Sequence, residues 1–466
     1  MKWMKCNTYR IHSAFSGSQV FTAEPENIKA LLATRFNEFD LGPIRNEILY
    51  ALIGLGVFTA ERDMWPHFRK QLRPIFARDQ ISQFDSFERH CQAFFKALPH
   101  ENSASWIEEA DIMPLLSRLT MDISSEFLLG ESLETQSKML AAQDSHNASD
   151  VRDDIEFVEA IHMCQGYLGK RVRLGRLAWI LRTREFNKAV QKIHDFIRPY
   201  VDSALERTAG SNVKVEEKKE KLIMLDELAL QTRDPTELRN QVLHVFLAGR
   251  DTTSSLMGFM TLLLAKHPEQ FKKLRKAVIS QFGTETDPKE VPNSASVKAC
   301  KPLLFVAYES LRLYPMVPLN WRYAANDTIL PTGGGPDRDQ PVAIKKGEQV
   351  EFSIYAMQRR QDIWGADADD FRPDRWHDRK LSWDWLPFGG GPRVCIGRKL
   401  VVQFSEVMPN IVQEELAINQ VVTVFIRLLQ RYDKIEALDE GPIPKGITFT
   451  LAPANGVRVS MHRASC

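Results

Sequence analysis

The chain has 466 residues, of which 44% are hydrophobic and 26% are charged, and its formal net charge is +1. These proportions are those of a globular protein with a large core, and the small net charge predicts no nucleic-acid partner. The six cysteines show no CxxC or CxxH spacing, which argues against a zinc site or a disulfide scaffold and favours a reducing compartment. No run of about 18 apolar residues occurs, so the chain as written predicts no transmembrane helix. No composition break divides it, although its length is high for one domain.

The first sixty residues predict strands, a helix and a loop, in that order. Residues 9–22 alternate in character, which is typical of strands. Pro25, with acidic neighbours, begins an amphipathic helix that continues through Leu32. Residues 41–59 are apolar and contain glycine and proline, so they read as a loop.

Trp65 and Arg69 follow in a helical stretch, four residues apart. Because that spacing is about one helical turn, both side chains would lie on one side of the helix. The alternative is an ordinary amphipathic surface helix. Apolar spacing then predicts helices over residues 81–98 and 112–129, and the polar residues 134–150 read as a surface connection.

Residues 157–207 predict further helix, with a basic and apolar section near the middle. That section contains Lys170, Arg171, Arg173, Leu174, Arg176, Leu177, Trp179 and Ile180. It could rest on a membrane surface, or it could be a solvated helix face. Residues 211–221 read as a charged linker.

A long helix begins at Asp234, which suits the N-cap position, with Pro235 in the first turn and an acidic residue after it. The apolar pattern continues to His267, where the following proline would end the helix. About 30 residues at ~1.5 Å each would extend some 45 Å, across the whole molecule.

The centre of this helix has the unusual sequence Ala-Gly-Arg-Asp-Thr-Thr over residues 248–253. Gly249 weakens the helix where the Thr252 hydroxyl can compete for a backbone carbonyl, which favours a local bulge or groove. Small residues there would leave room beside a flat cofactor. The alternative is a buried helix with a polar kink.

A shorter helix over residues 302–314 carries Glu309 and Arg312, which are three apart and can pair. That spacing alone is common on protein surfaces. Further on, Arg375 lies in the segment Pro-Asp-Arg-Trp, and Arg322 follows the dipeptide Asn-Trp.

Residues 388–397 surround a single cysteine, Cys395, with glycines and apolar side chains. Glycines at 389–391 permit a sharp turn and a close approach to a flat surface. Arg393 supplies a rigid fork of donors that suits a carboxylate. A thiolate, a cation and a slim apolar backbone together predict haem with an axial cysteine ligand. The alternative is a glycine-rich surface turn that contains a structural cysteine.

The pattern Phe388-x-x-Gly391-x-Arg393-x-Cys395-x-Gly397 resembles the haem-binding loop of the cytochrome P-450 monooxygenases. The other motifs described above match that family in type and order, so the resemblance covers nearly the whole chain. It implies a mainly α fold, a helical prism with a small β-rich lobe, in a single domain over residues 1–466.

The resemblance also implies roles for the residues of these motifs. Cys395 would be the axial ligand of the haem iron, and Asp251 and Thr252 would deliver protons during oxygen activation. Residues implied to bind haem b are Cys395, Arg393, Phe388, Gly389, Gly391, Gly397, Trp65, Arg69 and Arg322. A buried structural triad would comprise Glu309, Arg312 and Arg375.

The implied reaction is insertion of one oxygen atom of O2 into a small hydrophobic substrate. The segment 327–336 is similar to fungal alkane and fatty-acid hydroxylases, which favours those substrates. The chain shows no flavin or nicotinamide motif, so its electrons would come from NADPH through an NADPH-cytochrome reductase. Two alternatives are a haem-thiolate isomerase or dehydratase of lipid hydroperoxides, and a haem-binding protein with impaired catalysis.

The sequence departs from the family in two places. Eukaryotic members begin with a membrane anchor and a first helix that are missing here, which indicates a truncated gene model or a member that has lost its anchor. The resemblance implies the cytosolic face of the endoplasmic reticulum membrane; a soluble form is the alternative. Residues 399–412 read as an insertion, such as a retained intron, in which Pro409 would interrupt the helix expected beneath the haem.

Overall fold

The computed structural model describes residues 6–13, 17–77, 81–144, 152–209, 223–397, 416–447 and 449–465. Its helices are α1 (Pro25–Lys29), α2 (Pro43–Ile53), α3 (Met64–Ala77), α4 (Ile81–Lys96), α5 (Met113–Leu129), α6 (Thr135–Asp144), α7 (Arg152–Leu174), α8 (Arg184–Arg207), α9 (Met224–Ala229), α10 (Pro235–Lys266), α11 (Pro268–Phe282), α12 (Ser294–Ala299), α13 (Lys301–Leu313), α14 (Ile354–Met357), α15 (Gln361–Trp364) and α16 (Leu416–Arg431). A π-helical turn, Ala30–Thr34, continues α1, and 3-10 turns lie at Phe36–Glu38, Gly175–Leu181 and Pro373–Trp376.

The strands are β1 (Thr8–Ser13), β2 (Gly17–Thr22), β3 (Phe39–Asp40), β4 (Trp106–Asp111), β5 (Leu319–Ala324), β6 (Thr328–Gly334), β7 (Gln340–Ile344), β8 (Gln349–Ser353), β9 (Tyr432–Ala437), β10 (Lys445–Ile447), β11 (Leu451–Pro453) and β12 (Arg458–Arg463). One sheet has the order β1-β2-β8-β5-β3, in which β2 pairs with β8 in parallel and the other pairs are antiparallel. The remaining sheets are β4-β12-β9, β6-β7 and β10-β11. The expected strands within residues 9–22 are confirmed.

The 32-residue helix α10 is the longest element that the structure describes, and its ends follow the predicted signals. The Asp234 carboxylate accepts a hydrogen bond of 2.8 Å from the Thr236 backbone N–H, which caps the first turn. The helix ends at His267, whose Nδ1 donates to the Leu263 carbonyl at 2.7 Å, and Pro268 begins α11. The predicted bounds of this helix are confirmed.

Two large apolar clusters pack on α10 from different sides. One cluster joins its C-terminal half to α4, α5, α11, α13 and α16, and includes Phe259, which stacks on Tyr314 with 4.3 Å between ring centroids. The other joins its N-terminal half to α2, α7, α8 and α9. Because α10 lies between both clusters, it fixes the relative positions of the elements on each side.

Two expectations about local structure are wrong. Residues 43–53, expected in a loop, form helix α2, since the apolar positions Ile48, Leu49, Leu52 and Ile53 share its buried face. The flanking Gly42 and Gly54 have φ of 80° and 63°, so these glycines mark helix ends rather than a loop.

Residues 135–144, expected in a surface connection, form helix α6. Its first turn is capped from a distance: the Asp122 carboxylate of α5 accepts hydrogen bonds from the Thr135 N–H at 2.7 Å and the Gln136 N–H at 3.2 Å. A cap supplied by another helix leaves no local signal in the sequence. The predicted linker at 211–221 and the predicted insertion at 399–412 lie outside the described residues, and so do residues 145–150.

None of the helices in the described ranges combines the length and the apolar character needed to cross a bilayer.

The carboxylate of Glu309 is fully buried and surrounded by donors. Arg312 donates to it with two hydrogen bonds of 2.9 Å, and Arg375 donates through Nε at 3.0 Å. The indole N–H of Trp376 and the backbone N–H of Arg372 donate at 3.0 and 2.9 Å. The pairing predicted from the spacing of Glu309 and Arg312 is therefore present, and Arg375 joins it as expected.

We predict that Glu309→Gln lowers the free energy of unfolding by about 3–5 kcal/mol, because it leaves the Arg312 guanidinium buried without its counter-charge. Urea denaturation measures the change, and the yield of folded protein reports it where the variant is too unstable to titrate.

The matched control is Glu269→Gln, which removes a carboxylate paired with Lys272 at the same spacing of three residues but on an exposed face. That change should cost less than about 1 kcal/mol. Equal small effects in both variants would contradict a stabilising role for the Glu309 network.

Candidate active site

The loop around Cys395 is held in a tight turn by its own backbone. The Cys395 N–H donates to the Phe388 carbonyl at 3.0 Å, and the Val394 N–H donates to the Gly391 carbonyl at 3.1 Å. Gly389 and Gly391 have φ of 71° and 67°, a conformation that side-chain-bearing residues rarely adopt. The Cys395 thiol is exposed. The loop therefore presents one sulfur from a rigid turn.

The glycines of this loop have different neighbours. A Cβ on Gly391 would lie 1.8 Å from the Leu32 carbonyl oxygen, so this glycine lets the loop pack against the π-helical turn that follows α1. A Cβ on Gly389 would meet nothing within 4 Å, and one on Gly397 would lie 3.7 Å from the Cys395 sulfur. The sequence predicted a flat cofactor as the reason for these glycines; at Gly391 the structure shows a backbone contact instead.

Gln358 connects the loop to α13. Its amide nitrogen donates to the carbonyls of Leu311 and Arg312 at 3.0 Å, and its amide oxygen accepts from the Leu386 N–H at 2.8 Å. Trp385 packs edge-on against Trp376, with 5.3 Å between ring centroids. The Glu309 network and the cysteine loop thus belong to one packed unit.

Trp65 and Arg69 lie on one side of α3, beside the cysteine loop. The Arg69 guanidinium donates to the Val394 carbonyl at 2.9 Å and lies over the Trp65 ring at 5.5 Å. Arg393 lies over the same ring at 4.6 Å and donates to the Ala60 carbonyl at 2.8 Å. The indole ring is therefore in contact with both guanidinium groups.

Arg322 is buried on strand β5 near Arg45 and Arg393. Its Nη1 donates to the Trp321 carbonyl at 2.7 Å. Burial, and then the positive charges of Arg45 and Arg393, lower the pKa of Arg322 well below its ordinary value. Arg45 donates to Asn320 at 2.6 Å, and burial lowers its pKa to about 10.

Arg45 was not predicted as a site residue, because residues 41–59 read as a loop, where the direction of a side chain cannot be predicted. Arg45 is the third residue of α2, and its position follows from that helix. A signal was available in the sequence: Pro43 at a first helical position, followed by apolar residues at helical spacing.

Four guanidinium groups therefore converge beside one thiol. The pKa of Arg393 is lowered to about 10, mainly by burial and also by Arg45 and Arg69, while Glu61 and Asp40 oppose the shift. Arg45 Nε and Trp321 Nε1 are buried without a hydrogen-bond partner among the described residues. Shielded cations with unused donors fit a ligand that carries carboxylates, and a thiol nearby fits its metal. These residues thus fit haem b, which would supply an iron able to activate O2.

On α10, Thr252 donates its hydroxyl hydrogen to the Ala248 carbonyl at 2.7 Å. The predicted competition for a backbone carbonyl is present, but the helix continues without interruption, so the predicted bulge is absent within α10. Gly249 faces α5: an added Cβ there would lie 3.6 Å from Ser124 Oγ. That distance is ordinary van der Waals contact, so packing against α5 does not by itself require glycine at this position.

Asp251 is directed towards α7. Gln165 donates a short hydrogen bond to one carboxylate oxygen, and Arg250 Nη1 lies 3.2 Å from the other. Arg250 is itself buried and donates to Gln165 at 3.1 Å and to His162 at 2.6 Å. Burial raises the pKa of Asp251 while Arg250 and Gln165 lower it, with the net shift upward. The carboxyl therefore keeps its proton to higher pH than an exposed aspartate.

Gln165, Arg250 and His162 were not predicted as site residues. Gln165 and His162 lie in α7 with no motif around them, and Arg250 lies in the stretch 248–253 of α10, where the sequence indicated no role for it. Only the packing of α7 across α10 brings them to Asp251.

Comparison with known proteins places the chain in a family. Residues 5–413 match the family model described as Cytochrome P450. Cytochrome P450 monooxygenase g430 of a Fusarium species is 41% identical over 97% of this chain and 76% of its own length. Cytochrome P450 52A1 of Candida tropicalis is 39% identical over 95% and 78%, and cytochrome P450 monooxygenase alt2 of Alternaria solani is 36% identical over 97% and 82%.

The crystal structure of the cytochrome P450DA heme domain shares the fold, with a TM-score of 0.72 and 17% identity over 98% of this chain and 89% of that one. The chain belongs to the cytochrome P450 family. The predicted fold class and the predicted enzyme class, a haem-thiolate monooxygenase, are confirmed at the level of that family. The family also implies haem b, O2, a substrate and a redox partner.

We predict that Gly391→Ala prevents the cysteine loop from closing, because the new Cβ would collide with the Leu32 carbonyl. The expected result is a large loss of bound haem, measured as haem absorbance per protein, together with lower stability in urea.

Gly389→Ala is the matched control, since it has a similar positive φ but open space around the added carbon. It should cost only the backbone strain, about 1–2 kcal/mol, and retain haem. If both variants lost haem equally, the Leu32 contact would not be the reason that position 391 requires glycine.

Proposed function

We propose that this protein oxidises a hydrophobic substrate of the fatty-acid or alkane class, with haem b bound at Cys395 and electrons from NADPH. The observation that carries the proposal is the set of four arginines, Arg45, Arg69, Arg322 and Arg393, beside the exposed thiol of Cys395.

In this proposal each arginine binds one of the acidic groups of haem. Arg69 and Arg393, which lie against Trp65, would bind one propionate, and Arg322 with Arg45 would bind the other. In the present structure three of them donate to backbone carbonyls: Arg393 to Ala60, Arg69 to Val394 and Arg322 to Trp321. A guanidinium gains more from a carboxylate than from a neutral carbonyl, because charge-assisted hydrogen bonds are stronger.

Asp251 and Thr252 would move protons. The Thr252 hydroxyl donates to Ala248 within the helix and can accept a second hydrogen bond. The pKa of Asp251 is raised, so its carboxyl group keeps a proton to higher pH. It would pass protons from the side of the helix that faces Gln165 to Thr252. Oxygen activation consumes protons inside a pocket shielded from water, so a partly buried acid of this kind suits the task.

The substrate class follows from the apolar surroundings. Ile396, next to Cys395, packs against the cluster that contains Phe246 and Leu247 of α10, and Phe58 and Phe449 pack on it too. Such a lining suits a hydrocarbon chain. The β6-β7 hairpin contains the segment 327–336, which resembles fungal alkane and fatty-acid hydroxylases.

The proposal includes an NADPH-cytochrome reductase as electron donor and contact with the cytosolic face of the endoplasmic reticulum membrane. Leu174, Leu177, Trp179 and Ile180 are exposed on and beside the 3-10 turn that follows α7. Exposed apolar side chains among basic ones suit a membrane surface. We also propose one domain over residues 1–466, since the parallel pairing of β2 with β8 joins distant parts of the chain.

Two alternatives are separated by simple measurements. A red-shifted Soret band in the reduced, CO-bound protein supports the thiolate-ligated enzyme, and Cys395→Ser should abolish it; absence of this band in the unaltered protein would favour an impaired haem-binding protein. Turnover of lipid hydroperoxides without NADPH would favour an isomerase or dehydratase. NADPH- and O2-dependent hydroxylation of dodecane or dodecanoate supports the proposal.

We predict that Asp251→Asn lowers kcat by about 10²–10⁴-fold, the usual contribution of a positioned proton donor. The solvent deuterium isotope effect on kcat should rise, because proton delivery becomes rate-limiting. Asp226→Asn alters a partly exposed aspartate that is paired with Arg207; it is the control and should leave both quantities unchanged. An unaltered isotope effect in Asp251→Asn would exclude this residue from proton delivery.

A further inference from the structure

Arg171 does not belong to the basic surface in which the sequence places it. Its side chain is 1% exposed, whereas Lys170 and Arg173 on either side are exposed. The expectation that all basic residues of this section face solvent or a membrane is therefore wrong for Arg171. The helical turn directs it inward, since residues one position apart on a helix point about 100° from each other.

The contacts of Arg171 leave part of its guanidinium unused. Nη2 donates to the Glu47 carbonyl and lies 3.3 Å from the Glu47 carboxylate, while the guanidinium lies over the Phe186 ring at 5.2 Å. Nε and Nη1 are buried and have no hydrogen-bond partner among the residues that the structure describes. Unsatisfied buried donors on a charged group are costly, so a binding partner for them is expected.

Apolar and basic side chains surround Arg171, and this combination suits an amphiphilic ligand with an acidic head group. Helix α2, the end of α7, the 3-10 turn and the start of α8 meet here, and Tyr50, Leu174 and Leu177 are exposed nearby on these elements. The charged groups that act on Arg171 are Glu47, which is attractive, and Arg182, which is repulsive. The exposed Lys170, Arg173 and Arg176 add positive charge at the rim, which would attract an anion from solution.

We propose that Arg171 binds the carboxylate of a fatty-acid substrate, so that the enzyme prefers acids over alkanes of the same length. The planar guanidinium donates through its unused N–H groups to the carboxylate, and the hydrocarbon chain extends over the apolar side chains around it. This inference rests on the proposed function and narrows its substrate class.

The test uses the full-length, haem-loaded protein and three ligands of similar length: dodecanoate, methyl dodecanoate and dodecane. Binding is followed by the change in haem absorbance on titration. Arg171→Gln should raise the Kd of dodecanoate at least about tenfold, the effect of losing a charge-assisted hydrogen bond, and leave the two neutral ligands unchanged. Equal changes for all three ligands, or no change for dodecanoate, would overturn the proposal.

Two further variants separate ligand binding from helix packing. Arg173→Gln removes the same charge two residues away on the exposed face and should change the Kd of dodecanoate less than about threefold, a rim-charge effect. Glu47→Gln removes the carboxylate that competes for Arg171, so dodecanoate should bind more tightly. If Arg171 only clamps α7 to α2, Glu47→Gln weakens binding of all three ligands or has no effect. Should Arg171→Gln fail to fold, Glu47→Gln alone decides between these outcomes.

The outcomes also distinguish this inference from the proposed function. If NADPH-dependent oxidation of dodecane and methyl dodecanoate proceeds while Arg171→Gln leaves the Kd of dodecanoate unchanged, only the role of Arg171 is wrong. If none of the three ligands is oxidised, the proposed function itself is wrong, whatever the Kd values show.

Discussion

The buried carboxylate of Glu309 constrains everything around the cysteine loop. A fully buried charge is tolerated only when its hydrogen-bonding capacity is satisfied, and here the donors come from Arg312 in the same helix, from Arg375 and Trp376, and from the Arg372 backbone. Two pieces of chain, α13 and the segment 372–376, must therefore meet at one point. Since Trp376 packs on Trp385 just before the loop, meeting that requirement also positions the loop.

In the cluster of arginines, by contrast, the buried charges are not fully balanced by opposite charges. Arg45, Arg322 and Arg393 repel one another and are shielded from water, so their pKa values fall. The negative charge of Glu61 acts to raise the pKa values of Arg45 and Arg393, but both remain lowered. The folded chain is thus left with excess positive charge where acidic groups of a ligand would bind. Because a ligand that binds only the folded state stabilises it, haem binding at these arginines would be coupled to folding.

Motifs with several specified positions carried the predictions about the site, and isolated residues gave no signal. The pattern around Cys395 was enough to infer a cofactor, because it restricts the backbone geometry. The spacing of Glu309 and Arg312 was enough to infer an ion pair, because it brings the two side chains within contact distance. Arg45 was missed because its direction depends on α2, and Gln165 because it reaches Asp251 only when α7 crosses α10. Helix α6 was missed for a similar reason, since its cap comes from Asp122 in another helix. For Gln165 and α6 the deciding contact is made between different helices, whereas Arg45 follows from α2, whose own sequence signal was not used.

Helix α7 contributes residues to both proposed roles, proton delivery and substrate binding. Gln165 donates to Asp251, and Arg171, six residues later and about 9 Å further along the helix axis, carries the unused donors near the surface. One rigid helix therefore fixes the distance between a proton-carrying acid and the group proposed to hold a substrate's carboxylate. Its packing against α8 and α2 sets that distance, and the contact of Arg171 with Glu47 is part of this packing. A shift of α7 relative to α2 and α8 would therefore change both proton delivery and the position of the substrate. In this proposal, proton delivery at Asp251 of α10 thus depends on the same helix that binds the carboxylate of the substrate.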